Sequence, residues 1–216
     1  MKLFLIGATG RIGQRIRNEA LSRGHAVTGM TRDASRLPPE AGLTPFIGDV
    51  MDRDALSAAM EGHDGIIVSL GFPPDDPKIG PKTILAADTI IDAARAAGVR
   101  RVFWVGGAGS LFTADGRRVV DAMALPGWAR SAIWAMAALY MHLQTIEDLD
   151  WTFLSPAREI GPGTRTGRFR LGHDELILDA RGQSFISYED YALAVIDELE
   201  RPRHIRQRFT LGPPFC

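Results

Sequence analysis

Six short runs rich in β-branched and aromatic residues recur through the first two-thirds of the chain. Each is separated from the next by a longer segment. The runs are "KLFLI" (2–6), "AVTGM" (26–30), "TPFI" (44–47), "GIIVSL" (65–70), "RVFWV" (101–105) and "WTFLS" (151–155). Most intervening segments, "RIGQRIRNEALSRG" and "KTILAADTIIDAARAAG" among them, carry apolar residues three and four apart, the helical period. Strand and helix in alternation predict βαβ units and a parallel sheet, because a parallel strand can be reached only by a crossover. Asp52 stands where a helix start belongs, and Gly24 and Gly98 where helices stop.

Beyond residue 160 the texture shifts to glycine and charge, with short strand-like pieces. "SYEDYALAVIDELE" then reads as a helix, opened by Ser187 and Asp190 at capping-box spacing, and "RFTL" as a last strand. The expected fold is a single α/β domain over residues 1–216, a doubly wound parallel sheet. Residues 157–216 are expected to add a small lobe over the carboxyl edge of the sheet, on the substrate side. The basic run "RPRHIRQR" (201–208) reads as a solvated turn.

The first strand runs straight into "GATGRIG" (7–13), with Gly7, Gly10 and Gly13 three residues apart. Glycine inside an element costs roughly 0.5–1 kcal/mol relative to alanine, so three of them need a reason. Gly7 suits a tight turn, Gly10 leaves room for a pyrophosphate, and Gly13 lets the helix pack closely on the strands. The free amides and the positive end of the helix then bind phosphate. The whole loop, Gly7, Ala8, Thr9, Gly10, Arg11, Ile12 and Gly13, is therefore a candidate dinucleotide cradle, with a hydroxyl from Thr9 and a charge from Arg11.

The end of the second strand bears on which dinucleotide. An acidic residue there favours NADH by holding the ribose hydroxyl, whereas an arginine favours the 2′-phosphate of NADPH. Arg32 follows Thr31 directly, with Ser35 and Arg36 nearby, which points to NADPH. Asp33 is the rival, one or two positions into the loop, and a solvated Arg32 is the plainer alternative.

Composition excludes other classes. With a net charge of −1 over 216 residues, no nucleic-acid surface is indicated. The single cysteine, Cys216, allows no internal disulfide. No stretch reaches the about 18 apolar residues of a membrane span, and the opening residues lack a signal peptide's long apolar core. A cytoplasmic protein is expected, with a homodimer allowed. No HExxH motif or clustered ligand set is present, so no metal is expected.

"GATGRIG", "GDVMD" (48–52), "SLG" (69–71), "VGGAGS" (105–110) and "DWTFLSPA" (150–157) together resemble the atypical short-chain dehydrogenase/reductases. Within these the chain resembles the NAD(P)H-binding branch that holds the NADH-flavin reductase-like, biliverdin reductase B-like and NmrA-like proteins. The late run "TGRFRLGHDEL…ISYEDYALAVIDE" is similar to the flavin-reductase-like members. The resemblance implies a Rossmann fold, with Asp49 and Val50 at the adenine and Ser69, Leu70 and Gly71 beside the ribose and pyrophosphate. It also implies Gly106 and Gly107 on the nicotinamide side, with Ser155, Pro156 and Ala157 covering the ring.

The usual tyrosine–lysine pair of the dehydrogenases is absent, since Gln144 stands four residues after Tyr140. Tyr140 is thus either a catalytic candidate or core packing, and Ser110 either a carbonyl-polarising hydroxyl or a cap. Phe112, Met123, Leu125, Trp128 and Trp134 are candidates to stack on an acceptor, or else core and lid. Arg158 and Glu159 are substrate contacts or a surface pair, and His173 lies too far along to replace a family histidine. The expected activity is hydride transfer from NADPH to a planar small molecule, a flavin or a quinone, with water supplying the proton. A non-catalytic NmrA-type redox sensor is the alternative, and a carbonyl reductase or epimerase a third.

Overall fold

The structure, a computed structural model, describes residues 1–123 and 126–215. Leu125 and Cys216 lie outside the described residues, as does the side chain of Trp128.

β1 (Lys2–Ile6) is central because both of its faces are apolar. Leu3 and Leu5 point to one side of the sheet and Phe4 and Ile6 to the other, all essentially inaccessible to solvent. Parallel to it lie β2 (Ala26–Thr31) on one side and β4 (Gly65–Val68) on the other. β3 (Leu43–Ile47) extends the first side, and β5 (Arg101–Val105) and β6 (Asp150–Ser155) extend the second. β10 (Gln207–Gly212) adds a seventh parallel strand, and β8 (Arg170–Gly172) closes the edge antiparallel, giving the order β3-β2-β1-β4-β5-β6-β10-β8. β7 (Glu159–Gly161) and β9 (Phe185–Ser187) pair separately.

The helices cover both faces. α1 (Arg11–Ser22) and α6 (Tyr188–Glu200) pack on the face that presents Leu3, Leu5, Ile67 and Phe103. α2 (Arg53–Met60), α3 (Ile79–Ala96) and α5 (Gly127–Leu143) cover Phe4, Ile66, Trp104 and Phe153. A short α4 (Val119–Ala122) precedes α5. Helix starts follow their expected chemistry: Asp52 accepts from the Ala55 amide at 3.1 Å, and Ser187 from the Asp190 amide at 3.0 Å. The Asp190 carboxylate, however, accepts from the amides of Thr166 and Gly167, both at 2.8 Å, and so ties down the loop after β7.

Three boundaries differ from the sequence reading. α3 begins at Ile79, before Pro81, because proline is tolerated in a helix's first turn, where its missing amide would be unpaired anyway. β4 stops at Val68, which releases Ser69 and Leu70 from the sheet. α5 ends at Leu143, although the helical spacing of apolar residues in "ARSAIWAMAALYMHLQTIEDL" predicts a helix as far as Leu149. Among the described residues no helix is long and apolar enough to cross a membrane.

Candidate functional site

In the order 3-2-1-4, the chain reverses direction of travel between β1 and β4, and ligands of such sheets bind at the carboxyl ends of those strands. A cleft of about 620 Å³ opens at this point, reaching from the end of β2 to the start of α3.

The glycine loop forms one wall. Gly7 has φ +81°, and a Cβ there would lie 2.2 Å from the carbonyl oxygen of Ser69. The β1–α1 turn is thereby pressed against the end of β4. At Gly13 a Cβ would fall 2.0 Å from the Gly7 carbonyl oxygen, which holds the first turn of α1 hard on the loop. Gly10 differs: a Cβ there meets only the Gly7 oxygen, at 3.2 Å, and the residue borders the cleft. It is also the N-cap of α1, with no side chain capping the helix. The first amides of a twelve-residue helix therefore remain open toward the cleft. Thr9 borders the cleft, Ala8 is fully buried, Ile12 packs against the core and Arg11 is exposed.

At the far end stand Arg32 and Arg36, both exposed and both lining the cleft. Asp33 accepts from the Ser35 hydroxyl at 2.7 Å and from the Ser35 amide at 3.0 Å. These bonds, both to one oxygen, hold its carboxyl below the usual value and cap its own short turn, and Asp33 does not line the cleft. Asp49 accepts from the Met51 amide at 3.0 Å through one oxygen, and its other oxygen has no partner among the described residues. Val50, Ser69, Leu70 and Gly71 complete this stretch of wall.

Sequence reasoning missed one element of the cleft. Lys82, on the first turns of α3, borders it and is ion-paired with Asp76 of the preceding loop. The Lys82 hydrogen bond, and then that from the Lys78 amide, hold the Asp76 carboxyl low. Only the charge density of "DDPKIGPK" hinted at it.

The residues expected at the nicotinamide end are packed under the same sheet edge rather than lining this cleft. A Cβ at Gly106 would meet the Phe153 ring at 2.4 Å, and one at Gly107 would meet Met136 at 3.1 Å. Ser155, Pro156 and Ala157 are buried, and the Ser155 hydroxyl has no partner among the described residues.

The two expected catalytic candidates are engaged elsewhere. Ser110 is buried, and its hydroxyl accepts from the Arg208 guanidinium at 2.8 Å. Arg208 is itself buried, donates to Asp174 at 2.9 Å and lies 4.3 Å from the centroid of the Tyr140 ring. The solvated reading of 201–208 therefore holds for Arg201, Arg203 and Arg206 but is corrected at Arg208. The Tyr140 hydroxyl accepts from Gln144 at 3.3 Å. Burial raises its pKa, and the Arg208 charge works against that rise. Tyr140 lines a separate hollow with Trp151, near the amino end of β6, and neither it nor Ser110 borders the cleft.

Of the acceptor candidates, Phe112 is partly exposed and pairs by backbone with Asp174 and Leu176. Trp134 carries Arg118 over its ring at 5.8 Å. Arg158 is exposed, its amide donates to the Ser184 hydroxyl at 3.0 Å, and its guanidinium is 3.9 Å from Glu159. Among the described residues no cluster suited to a metal ion occurs.

The profile of the NAD(P)H-binding family matches residues 7–202, from the first glycine of the loop to the end of α6. The chain belongs to the NAD(P)H-binding family. Among relatives of this NAD(P)H-binding protein is the uncharacterized protein YwnB of Bacillus subtilis, 36% identical over 214 residues and covering 98% of each chain. A Bacteroides thetaiotaomicron protein provisionally termed an epimerase superposes with a TM-score of 0.92 at 40% identity, covering 100% of this chain and 98% of the other. A Streptococcus pneumoniae protein provisionally termed an NADH-flavin reductase gives 0.82 at 32% identity, covering 99% of each. The NAD(P)H-binding protein thus sits in an oxidoreductase-like family with reductases among its neighbours. Its bare Gly10, uncapped helix and cleft-facing arginines fit a dinucleotide.

Proposed function

We propose that this protein is an NADPH-dependent reductase that delivers hydride to a planar acceptor, a flavin or a quinone. The observation that carries the reading is the pairing of an open phosphate cradle at Gly10 with Arg32 and Arg36 at the other end of one cleft. In this reading the first amides of α1 hold the pyrophosphate, and Arg32 and Arg36 hold the 2′-phosphate. The free oxygen of Asp49 accepts from the adenine amino group, with Val50 alongside. Gly106, Gly107, Ser155, Pro156 and Ala157 bound the nicotinamide end, and Phe112 and Arg158 face the acceptor. When bound, NADPH would supply the hydride and water the proton, so that the chain's own residues would have only to hold and orient the dinucleotide against the acceptor. The provisional name of the pneumococcal relative supports the reductase class.

One observation favours a second reading, a dinucleotide-binding sensor without turnover. The Ser110 and Tyr140 hydroxyls are both held by other side chains, away from the cleft. Loss of NADPH absorbance in the presence of flavin and quinones separates the two. Turnover supports the reductase, whereas tight binding with none of these acceptors reduced supports the sensor.

A further inference from the structure

Besides Arg32 and Arg36, one more cation borders the dinucleotide cleft. Lys82, on the first turns of α3, lies at its wall together with its ion-pair partner Asp76. The carboxylate is placed by its own loop. One Asp76 oxygen accepts from the Lys78 amide at 2.8 Å, the Asp76 amide donates to the Pro73 carbonyl at 3.1 Å, and the Asp76 carbonyl accepts from the Ile79 amide at 3.0 Å. The other carboxylate oxygen takes the Lys82 ammonium. The lysine is thus drawn to a carboxylate that is fixed at the cleft without it.

An ammonium carries three donors, and Asp76 engages one of them among the described residues, so two remain for a ligand. The side chain is 44% exposed, which leaves its head open to the cleft it borders. Lysine is a flexible point charge, and holding it in one place costs side-chain entropy. Asp76 has already met that cost before a ligand arrives. The carboxylate also offsets the lysine's charge, so the pair draws an anion only at close range, through the ammonium's own N–H groups.

We infer that Lys82 is a further phosphate-binding residue of the cleft, donating to a phosphate oxygen of the dinucleotide, and that Asp76 is the residue that positions it. The inference rests on the dinucleotide reading of this cleft and needs no turnover, so it applies to reductase and sensor alike. A dinucleotide offers two sources of that oxygen, the diphosphate of NADH and NADPH and the 2′-phosphate of NADPH alone.

The test is calorimetric titration of the wild type, Lys82→Gln, Lys82→Arg and Asp76→Asn with NADPH and with NADH, at low and at raised ionic strength. Lys82→Gln is expected to weaken binding roughly three- to tenfold at low salt, the value of a charge-assisted contact at a half-exposed site. That gap is expected to narrow as salt screens the charge. Lys82→Arg keeps the charge and is expected to stay within about twofold of wild type. Asp76→Asn keeps an oxygen for the Lys78 amide and removes a negative charge from the cleft, so it is expected to bind as tightly as wild type or tighter. It breaks the same pair, and therefore also reports any loss caused by a loosened loop rather than by the missing cation. A loss for NADPH alone puts Lys82 on the 2′-phosphate, and an equal loss for both dinucleotides puts it on the diphosphate. Lys82→Gln within about twofold of wild type, a loss that salt leaves unchanged, or Lys82→Arg or Asp76→Asn as weak as Lys82→Gln would each overturn the inference while the dinucleotide reading stood. A wild type that bound neither dinucleotide would overturn both.

Discussion

The carbonyl oxygen of Gly7 stands 2.0 Å from the point where a Cβ on Gly13 would be placed, whereas the same oxygen is 3.2 Å from a Cβ on Gly10. Two glycines in one loop thus have different tasks. Gly13→Ala is expected to push α1 off the loop and to cost about 1–3 kcal/mol, the range for overpacking. Gly10→Ala is expected to cost well under that. Denaturant unfolding of the two variants beside the wild type measures the difference, and equal losses would contradict the division of roles.

Arg32 and Asp33 are adjacent in sequence but differ in their freedom to meet a ligand. Arg32→Ala is expected to weaken NADPH about tenfold, the value of one charge-assisted contact, and to leave NADH unchanged. Asp33→Ala is expected to leave NADH affinity unchanged, because Asp33, unlike Arg32 and Asp49, does not line the cleft. Calorimetric titration of both variants with both dinucleotides checks the pair.

Tyr140→Phe removes a hydroxyl that meets only Gln144 among the described residues. If the acceptor is reduced with a proton from water, kcat for quinone reduction is expected to stay within about twofold of wild type, since general acid catalysis by a side chain contributes typically about a hundredfold or more. A loss of that size would restore Tyr140 as the acid.

Glu19, buried on α1, accepts from Arg165 at 2.8 Å and from Arg23 at 2.8 Å. The Arg165 hydrogen bond, opposed by burial and aided by Arg23, holds its carboxyl below the ordinary 4.5. The unfolded chain binds the proton more readily, so this contribution is complete above about 4.5 and is lost as pH falls through the lower folded value. Glu19→Gln is expected to cost about 1–2 kcal/mol near neutrality, discounted because Arg165 is half exposed. The gap from wild type is expected to narrow as the pH falls below 4.5. Urea unfolding at several pH values reads this out.

The β1–α1 unit was legible because two local signals coincide there, a strand buried on both faces and glycines at the turn. The strand pattern of β2, β4 and β5 was legible for the same reason, each run being apolar and bounded by turn residues. What escaped was set by tertiary partners. Arg208 sits in a strand of alternating pattern, and it is Asp174, thirty-four positions earlier, Ser110 and the Tyr140 ring that make its burial tolerable. Lys82 escaped because the loop that presents Asp76 to it has no periodicity to read. Ser110 and Tyr140 were plausible catalytic residues by type. Their hydrogen bonds to Arg208 and Gln144, which no spacing rule encodes, turn them away from the cleft.

The central claim is that the open amides of α1 at Gly10 bind the phosphates of a nicotinamide dinucleotide. Gly10→Asp tests it directly, since aspartate is a favourable N-cap and spares the helix while placing a negative charge where the diphosphate must sit. Isothermal titration calorimetry with NADPH is expected to show saturable binding to the wild type and none to Gly10→Asp, with the melting temperature of the variant unchanged or raised. Binding of equal affinity to both proteins, or no heat from either dinucleotide with the wild type, would contradict the account.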